Sequence, residues 1–151
     1  DQVYEKEHNG VLMISILSHV VEFRNSESGQ HVLHIRTLTD LLLHELVQKT
    51  DRYQLDESDI SLISTASALH DIGKIMIPEE ILNKPGRLTE EEYAAIKTHT
   101  TEGARILKGL AIGQDEPLVK VAHAICRWHH ERWDGGGYPD RLKGDEIPIA
   151  A

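Results

Sequence analysis

Apolar residues recur along most of the chain at intervals of three and four residues, which is the spacing of a helix face. No stretch shows the sustained alternation of apolar and polar residues that a half-buried strand requires. The predicted helix faces are Val11, Ile14, Leu17 and Val21; Ile35, Leu38, Leu42 and Leu46; Ile60, Ile63 and Ser67; Ile96, His99, Gly103 and Ile106; and Leu118, Ala122, Ile125 and His129. The pattern predicts an all-α bundle of about five or six helices.

Local signals mark the ends of several helices in the first half of the chain. Residues 25–29 contain serine and glycine, so we expect a break after the first helix. Ser58 is the predicted cap of a third helix, and Gly73 is its predicted end. Pro78 is suited to open a short helix that follows.

The second half of the chain begins with a capping-box pattern. Thr89 is followed three residues later by Glu92, which predicts a helix that begins there and continues to about Leu110. Pro117 is suited to the first position of the next helix. Residues 133–139 contain three consecutive glycines, and we expect a loop there because glycine disfavours both helix and strand.

The composition excludes several classes of function. A net charge of −9 argues against a nucleic-acid partner, because such binding needs clustered Lys and Arg. The single cysteine, Cys126, excludes an internal disulfide and a zinc site built on paired thiolates. A reducing cytoplasm is its simplest setting. No apolar run approaches the ~20 residues of a membrane span, so we expect a cytoplasmic protein with no membrane contact in this stretch.

Ten histidines are many for 151 residues, and five of them fall on apolar faces or helix ends. These five are His31, His70, His99, His129 and His130. A single such histidine is most simply explained as a core residue with a hydrogen-bond partner. Five together would need several such partners in one core. A shared metal site would satisfy all of them.

Two carboxylates occur beside these histidines. Asp71 is adjacent to His70, and Glu27 precedes His31 by one helical turn. A set of nitrogen and oxygen ligands without a thiolate suits Fe or Mn, and also Ni or Zn, better than Ca or Mg. Because six or seven ligands exceed the need of one ion, we expect two or three divalent metals with Asp71 as a bridge. Such clusters generate hydroxide near neutral pH and clamp a phosphoryl group.

The combination of these motifs resembles the HD-GYP branch of the HD-domain metal-dependent phosphohydrolases. The resemblance covers nearly the whole chain from about Ser26 onward, and the Gly-Tyr-Pro run after a double histidine distinguishes this branch from the wider superfamily. The segments that carry it are Glu27-Ser-Gly-Gln-His31, His70-Asp71-Ile-Gly-Lys74, His99-Thr-Thr-Glu-Gly103, His129-His130-Glu-Arg-Trp-Asp134-Gly-Gly-Gly137-Tyr138-Pro139, and then Leu142, Gly144 and Ile147-Pro148.

The resemblance implies an all-helical HD-domain fold and hydrolysis of the bacterial second messenger cyclic di-GMP to pGpG, to GMP or to both. Asp71 and Lys74 would be catalytic, and Lys74 would also meet a substrate phosphate. The loop Gly137-Tyr138-Pro139 would contact substrate or a partner protein. The implied metal ligands are Glu27, His31, His70, Asp71, His99, His129 and His130.

The resemblance also suggests a domain organisation. Residues 1–24 form an N-terminal connector or signalling helix, and residues 25–151 form the HD-GYP phosphohydrolase domain. The family has a further aspartate ligand beyond Ile147-Pro148, so we expect this domain to be C-terminally incomplete. Implied partners are an upstream sensor or receiver domain, a second copy in a homodimer, and a diguanylate cyclase-type protein at the Gly-Tyr-Pro loop.

Two other readings of the sequence stay open. The chain is alternatively a catalytically weak or inactive regulatory module that binds a nucleotide or a partner protein without cleaving it. A third reading keeps the enzyme and changes the substrate to a related cyclic dinucleotide. We expect the other histidines, such as His34 and His123, not to bind metal. Cys126 is expected to be a small core residue.

Overall fold

The computed structural model describes residues 2–24, 30–111 and 113–151, and the side chains from His8 onward within them. No strand occurs in these ranges, and six of their α-helices have eight or more residues. The helices are α1 (Gln2–Arg24), α2 (Gln30–Lys49), α3 (Glu57–Ser67), α4 (Glu79–Leu82), α5 (Glu90–Lys97), α6 (His99–Lys108) and α7 (Pro117–Trp128), with 3₁₀ turns at Ile72–Met76 and Gly144–Glu146. The all-α prediction is confirmed.

The core lies where α2, α3, α6 and α7 meet. Its buried members are Leu43, Ile60, Ile63, Ala66, Leu69, Leu107, Ala122, Ile125 and Cys126. The faces predicted for α3 and α7 supply four of these nine residues, which are Ile60, Ile63, Ala122 and Ile125. Among the residues that the structure describes, no helix has the length and apolarity needed to cross a membrane.

The face predicted for α2 is half wrong: Leu46 packs against the core and Ile35 is half-buried, but the other two residues are exposed. Leu38 and Leu42 are 54% and 68% exposed, whereas Leu43 is only 6% exposed and belongs to the core. Leucines occur on both sides of α2, including the exposed Leu33 and Leu41. Periodicity alone therefore could not select the face that packs.

Two features of α3 also differ from prediction. Its cap is Asp56 rather than Ser58: the Asp56 carboxylate accepts from the backbone N–H of Asp59, and the Asp59 carboxylate accepts from the N–H of Asp56. Aspartate is as good a cap as serine and starts the helix earlier. The helix ends at Ser67 rather than at Gly73, which lies within the following 3₁₀ turn.

The capping box at Thr89 is confirmed, but the single helix predicted from there to about Leu110 is wrong. Two helices occur, and Thr98 lies between them. Its hydroxyl donates to the carbonyl of Ala95 at 2.6 Å. A threonine that bonds its own backbone in this way competes with the regular helical hydrogen bonds. The break places His99 at the first position of α6.

Gly73 allows the 3₁₀ turn to lie directly against α6. A Cβ atom at Gly73 would stand 1.9 Å from the carbonyl oxygen of His99 and 2.5 Å from the nitrogen of Gly103. Gly103 in turn packs closely on Cys126 of α7. These contacts bring the segment that carries Asp71 within reach of His99.

Helix α1 packs on the rest of the molecule by most of the predicted face, since Val21 is buried and Ile14 packs against the core. Ser18 and Val21 are buried at 4% and 5% exposure, whereas Leu17, which we expected on the packed face, is 50% exposed. A second apolar face is exposed and consists of Leu12, Met13, Ile16, Leu17, Val20 and Phe23. The break predicted at residues 25–29 lies outside the described residues.

The end of α1 is tied to the 3₁₀ turn by Arg24. Its guanidinium donates to the carbonyl oxygens of Ile75 at 2.6 Å, Lys74 at 3.3 Å and Ile77 at 3.3 Å. In the other direction, the amide of Asn83 donates to the Arg24 carbonyl at 2.7 Å. The first helix is therefore joined to the backbone of Lys74 and of the residues that follow it.

Candidate metal centre

Four parts of the fold deliver side chains to one place. The start of α2 supplies His31, and the turn after α3 supplies His70 and Asp71. The first residue of α6 is His99, and α7 is followed at once by His129 and His130. The five histidines singled out from the sequence form a chain of neighbouring rings. The ring-centroid distances are 5.9 Å for His31–His70, 5.3 Å for His70–His129, 5.3 Å for His99–His129, 5.1 Å for His99–His130 and 4.3 Å for His129–His130.

Three of the imidazoles are held in the same tautomer by their own backbone. A carbonyl oxygen only accepts, so each Nδ1 that contacts one carries the proton and leaves a lone pair on Nε2. The contacts are His70 Nδ1 to the Ser67 carbonyl at 2.9 Å, His99 Nδ1 to the Ile96 carbonyl at 2.7 Å and His129 Nδ1 to the Ile125 carbonyl at 2.9 Å. Histidines that ligate metals are oriented in this way.

The three Nε2 atoms converge on the carboxylate of Asp71. His70 Nε2 lies 3.2 Å from Oδ2, His99 Nε2 lies 3.2 Å from Oδ1, and His129 Nε2 lies 3.8 Å from Oδ1. The Nε2 atoms of His99 and His129 are 3.3 Å apart. Lone pairs that face one another and a carboxylate repel, unless a cation or a proton is shared between them. This donor set therefore fits a divalent metal.

The charges around Asp71 keep it ionised. Burial disfavours the carboxylate, but the hydrogen bond and charge of His70 and the ammonium of Lys74, 2.7 Å from Oδ2, outweigh it and hold the Asp71 pKa well below its usual value. Burial by itself would lower the pKa of His70, but the hydrogen bond and charge of Asp71 outweigh it and raise that pKa above its ordinary value. Asp71 is thus available as an anionic ligand.

The pKa values of the neighbouring imidazoles shift in the direction opposite to that of His70. Burial lowers the pKa of His129 to about 3 and also lowers the pKa of His99 and of His130. These rings are neutral near pH 7, and neutral imidazole is the form that binds metal. One nitrogen from each of the three lies within 4.8 Å of the others, which suits a shared ion.

The sequence model of the HD domain family matches residues 12–151. This chain belongs to the HD domain family. HD domain phosphohydrolases bind divalent metals, and the histidine cluster described above could hold one. Glu27, the remaining predicted ligand of this HD domain, lies outside the described residues, so its role stays a prediction.

Curated relatives of this HD domain include three bacterial phosphodiesterases. The 3'3'-cGAMP-specific phosphodiesterase 2 of Vibrio cholerae is 42% identical over 134 residues, which are 89% of this chain and 24% of the relative. The cyclic di-GMP phosphodiesterase of Thermotoga maritima is 40% identical over 91% of this chain and 34% of its own length. The cyclic di-GMP phosphodiesterase response regulator RpfG of Xanthomonas campestris pv. campestris is 34% identical over 100% of this chain and 36% of its own.

These matches confirm the resemblance drawn from the sequence. The chain spans about a quarter to a third of the length of these relatives. What each relative acts on, as its name states, is therefore a property of a longer protein.

The Gly-Tyr-Pro loop of the HD domain lies against the histidine cluster. The ring of Tyr138 stacks on His130 with 4.7 Å between centroids and 18° between planes, and the Tyr138 N–H donates to the His130 carbonyl at 3.2 Å. Burial raises the pKa of Tyr138 to about 12. Gly137 is buried, and a Cβ atom there would stand 2.5 Å from that same carbonyl oxygen. Its close approach is therefore to its own chain.

Sequence reasoning missed the residues that hold this loop in place. The carboxylate of Asp140 accepts from the Arg127 guanidinium at 2.7 and 2.8 Å and from the Trp128 indole N–H at 2.7 Å. The Glu131 carboxylate accepts from the backbone N–H groups of Asp140 and Arg141 at 2.7 and 3.0 Å. In the sequence, Asp140 follows Trp128 by twelve residues and Arg127 by thirteen. No pattern of a single helix or strand predicts contacts at that separation.

Proposed function

We propose that this HD domain is a metal-dependent phosphodiesterase that hydrolyses cyclic di-GMP to pGpG, to GMP or to both. The observation that carries the proposal is the convergence of three histidine Nε2 atoms on Asp71, with the ammonium of Lys74 at 2.7 Å. The names of the Thermotoga and Xanthomonas relatives support the choice of substrate.

Two or three divalent ions, with Fe or Mn favoured and Ni or Zn as alternatives, would be held at this site. The donor set of imidazole and carboxylate without thiolate supports that choice. When bound, such ions make water nucleophilic near neutral pH and stabilise charge on phosphoryl oxygens. The residues proposed to hold them are Glu27, His31, His70, Asp71, His99, His129 and His130.

Lys74 and Asp71 have separate roles in this proposal. Asp71 is the shared carboxylate, kept ionised by its cationic neighbours. Lys74 adds a positive charge beside it, which offsets the charge of the phosphodiester as it approaches an acidic protein. The Gly137-Tyr138-Pro139 loop closes the side of the centre formed by His130 and contributes to substrate binding.

The experiment is a joint measurement of metal content and turnover in the full-length protein that carries this domain, purified without oxygen. Replacing both His70 and Asp71 by alanine should abolish bound Fe or Mn and hydrolysis together. His34→Ala is the matched control, because His34 is an exposed histidine on the same helix as His31. Retained hydrolysis by the double variant, or full metal content without any hydrolysis in the unmodified protein, would refute the proposal.

A second candidate substrate is 3'3'-cGAMP. The Vibrio relative named for that substrate is 42% identical to this chain. We propose to separate the two by offering both dinucleotides together and comparing kcat/KM. A preference for cyclic di-GMP supports the first proposal, and a preference for 3'3'-cGAMP replaces its substrate while retaining the reaction.

We also propose that residues 1–24 connect the phosphohydrolase domain, residues 25–151, to an upstream sensor or receiver domain, and that the protein forms a homodimer. The Xanthomonas relative is itself named a response regulator. The exposed apolar face of α1 supports a dimer contact.

Trp133, which is 62% exposed beside the Gly-Tyr-Pro loop, supports a partner of the diguanylate cyclase type there. A single buried thiol supports the cytoplasmic setting.

A further inference from the structure

A cavity of about 690 Å³ lies beside the metal centre, between α5, the start of α6 and the Gly-Tyr-Pro loop. Tyr138 belongs to both sites, because it lines the cavity and stacks on His130. Thr98, another lining residue, immediately precedes His99. A volume in the range of roughly 300–1,000 Å³ is typical of small-molecule sites.

The charge of this cavity is opposite to that of the chain. Its lining includes Lys97 and Arg141 and contains no acidic residue, although the chain has a net charge of −9. Within the part of the chain that the structure describes, neither cation has a carboxylate in ion-pair range. A concave site with two unneutralised cations attracts an anion.

Aromatic rings hold Lys97 in place. Its Nζ atom lies 5.0 Å from the ring centroid of Tyr93 and 5.7 Å from that of Tyr138. Such contacts fix the position of an ammonium without cancelling its charge. The same two tyrosines offer apolar surface beside the cation, which suits a ligand that carries both a planar base and a phosphate.

Arg141 is held at the cavity by its backbone. Its φ angle is 59°, in the left-handed region that residues other than glycine seldom adopt. The Glu131 carboxylate accepts from its N–H at 3.0 Å and retains the backbone in that conformation. The guanidinium is therefore carried by a fixed segment.

A cyclic dinucleotide carries two phosphodiester groups, and the centre around Asp71 and Lys74 acts on one of them. We propose that the cavity is the subsite for the other nucleotide unit, in which Lys97 and Arg141 contact the phosphate that is not cleaved and Tyr93 packs against the base. This inference rests on the proposed function and deepens it. It adds three residues to those that the sequence analysis assigned to the substrate.

The test compares Lys97→Met and Arg141→Gly in the full-length protein. Methionine keeps the contact with the tyrosines and removes the charge, and glycine adopts a φ of 59° without strain. Lys120→Met is the matched control, because Lys120 is exposed on α7 and does not line the cavity. Each cavity variant should raise the KM for cyclic di-GMP about tenfold and change kcat less than about twofold. The reason is that a contact to the phosphate that is not cleaved stabilises the bound substrate and the transition state equally, so its loss affects KM alone. Metal content should stay unchanged.

Binding of cyclic di-GMP to metal-depleted protein, measured by calorimetry, separates this inference from the proposed hydrolysis. Binding that weakens in both variants and not in Lys120→Met supports the subsite, even if the metal-loaded protein hydrolyses nothing. Hydrolysis with an unaltered KM in both variants overturns the subsite and leaves the enzyme. A protein that neither binds nor hydrolyses the dinucleotide refutes both.

Discussion

At the residue scale, Gly73 is the position where the smallest change has the largest steric consequence. A methyl group there would stand 1.9 Å from the His99 carbonyl oxygen, which is backbone and has no room to withdraw. We expect Gly73→Ala to lower the free energy of unfolding by about 3 kcal/mol, at the upper end of overpacking costs. Chemical denaturation measures this change.

Gly10 supplies the control for that substitution. It lies within α1, and a Cβ atom there would meet nothing within 4 Å. Gly10→Ala should leave stability unchanged or raise it by up to about 1 kcal/mol, as expected for an exposed helical position. Equal effects of the two substitutions would show that the close contact at Gly73 is not what constrains the residue.

The thiol of Cys126 provides a second residue-scale prediction. Burial raises its pKa to about 12, and its Sγ donates to the Leu69 carbonyl at 3.1 Å. The reactive thiolate is therefore scarce in the folded protein well above pH 8. We expect a thiol reagent at pH 8 to react with Cys126 only after denaturant is added. Prompt reaction in buffer would contradict the buried position.

At the element scale, the carboxylate of Asp140 attaches the Gly-Tyr-Pro loop to the end of α7 through Arg127 and Trp128. Asp140→Asn preserves the shape and removes the charge that pairs with Arg127. We expect the amides of residues 131–141 to exchange hydrogen faster, because the loop loses its attachment to α7. Hydrogen exchange followed by mass spectrometry measures this.

Asp145→Asn is the control for the loop. Asp145 also pairs with an arginine, Arg52, but it lies in the 3₁₀ turn after the loop and its side chain is 69% exposed. Ion pairs of that kind contribute little. If both substitutions accelerate exchange in residues 131–141 equally, the attachment through Asp140 is not specific.

Elements of this fold were predictable where a local signal and the packing agreed. Thr89 with Glu92, and Pro117, gave correct helix starts because each signal is a short-range hydrogen-bond or dihedral preference. The face of α2 was not predictable, since apolar residues lie on both sides of it. The break at Thr98 depends on one hydroxyl bonding to its own backbone, which the apolar pattern does not record.

The residues of the candidate site also fall into those that the sequence predicted and those that it did not. The histidines around Asp71 were found from the sequence because each lies on a helix face or at a helix end whose direction the pattern gives. Lys97 and Arg141 were not found. They reach a common cavity only through the folding of the loop back onto α5.

At the scale of the whole molecule, α1 presents an apolar face for a second copy of the chain. Met13, Ile16, Val20 and Phe23 follow one another at intervals of three, four and three residues and are 48% to 79% exposed. That is the spacing of a coiled-coil seam. We expect Ile16→Asp to convert a dimer to a monomer, as measured by sedimentation equilibrium.

Leu41→Asp is the matched control, because Leu41 is similarly exposed at 56% but lies on α2. It should leave the dimer intact. An unmodified protein that remains monomeric at its highest soluble concentration would refute the dimer, and dissociation caused only by Leu41→Asp would move the interface to α2.

The three carbonyl groups held by Arg24 have a mechanical consequence. A slide of α1 by one residue is about 1.5 Å along its axis, which is enough to break hydrogen bonds of this length. The helix and the turn that bears Lys74 are therefore expected to move together. A displacement of α1 would then change the position of the Lys74 ammonium relative to Asp71. Arg24→Ala should uncouple α1 from this turn. Hydrogen exchange of the amides at residues 74–77 would then no longer change when α1 is displaced.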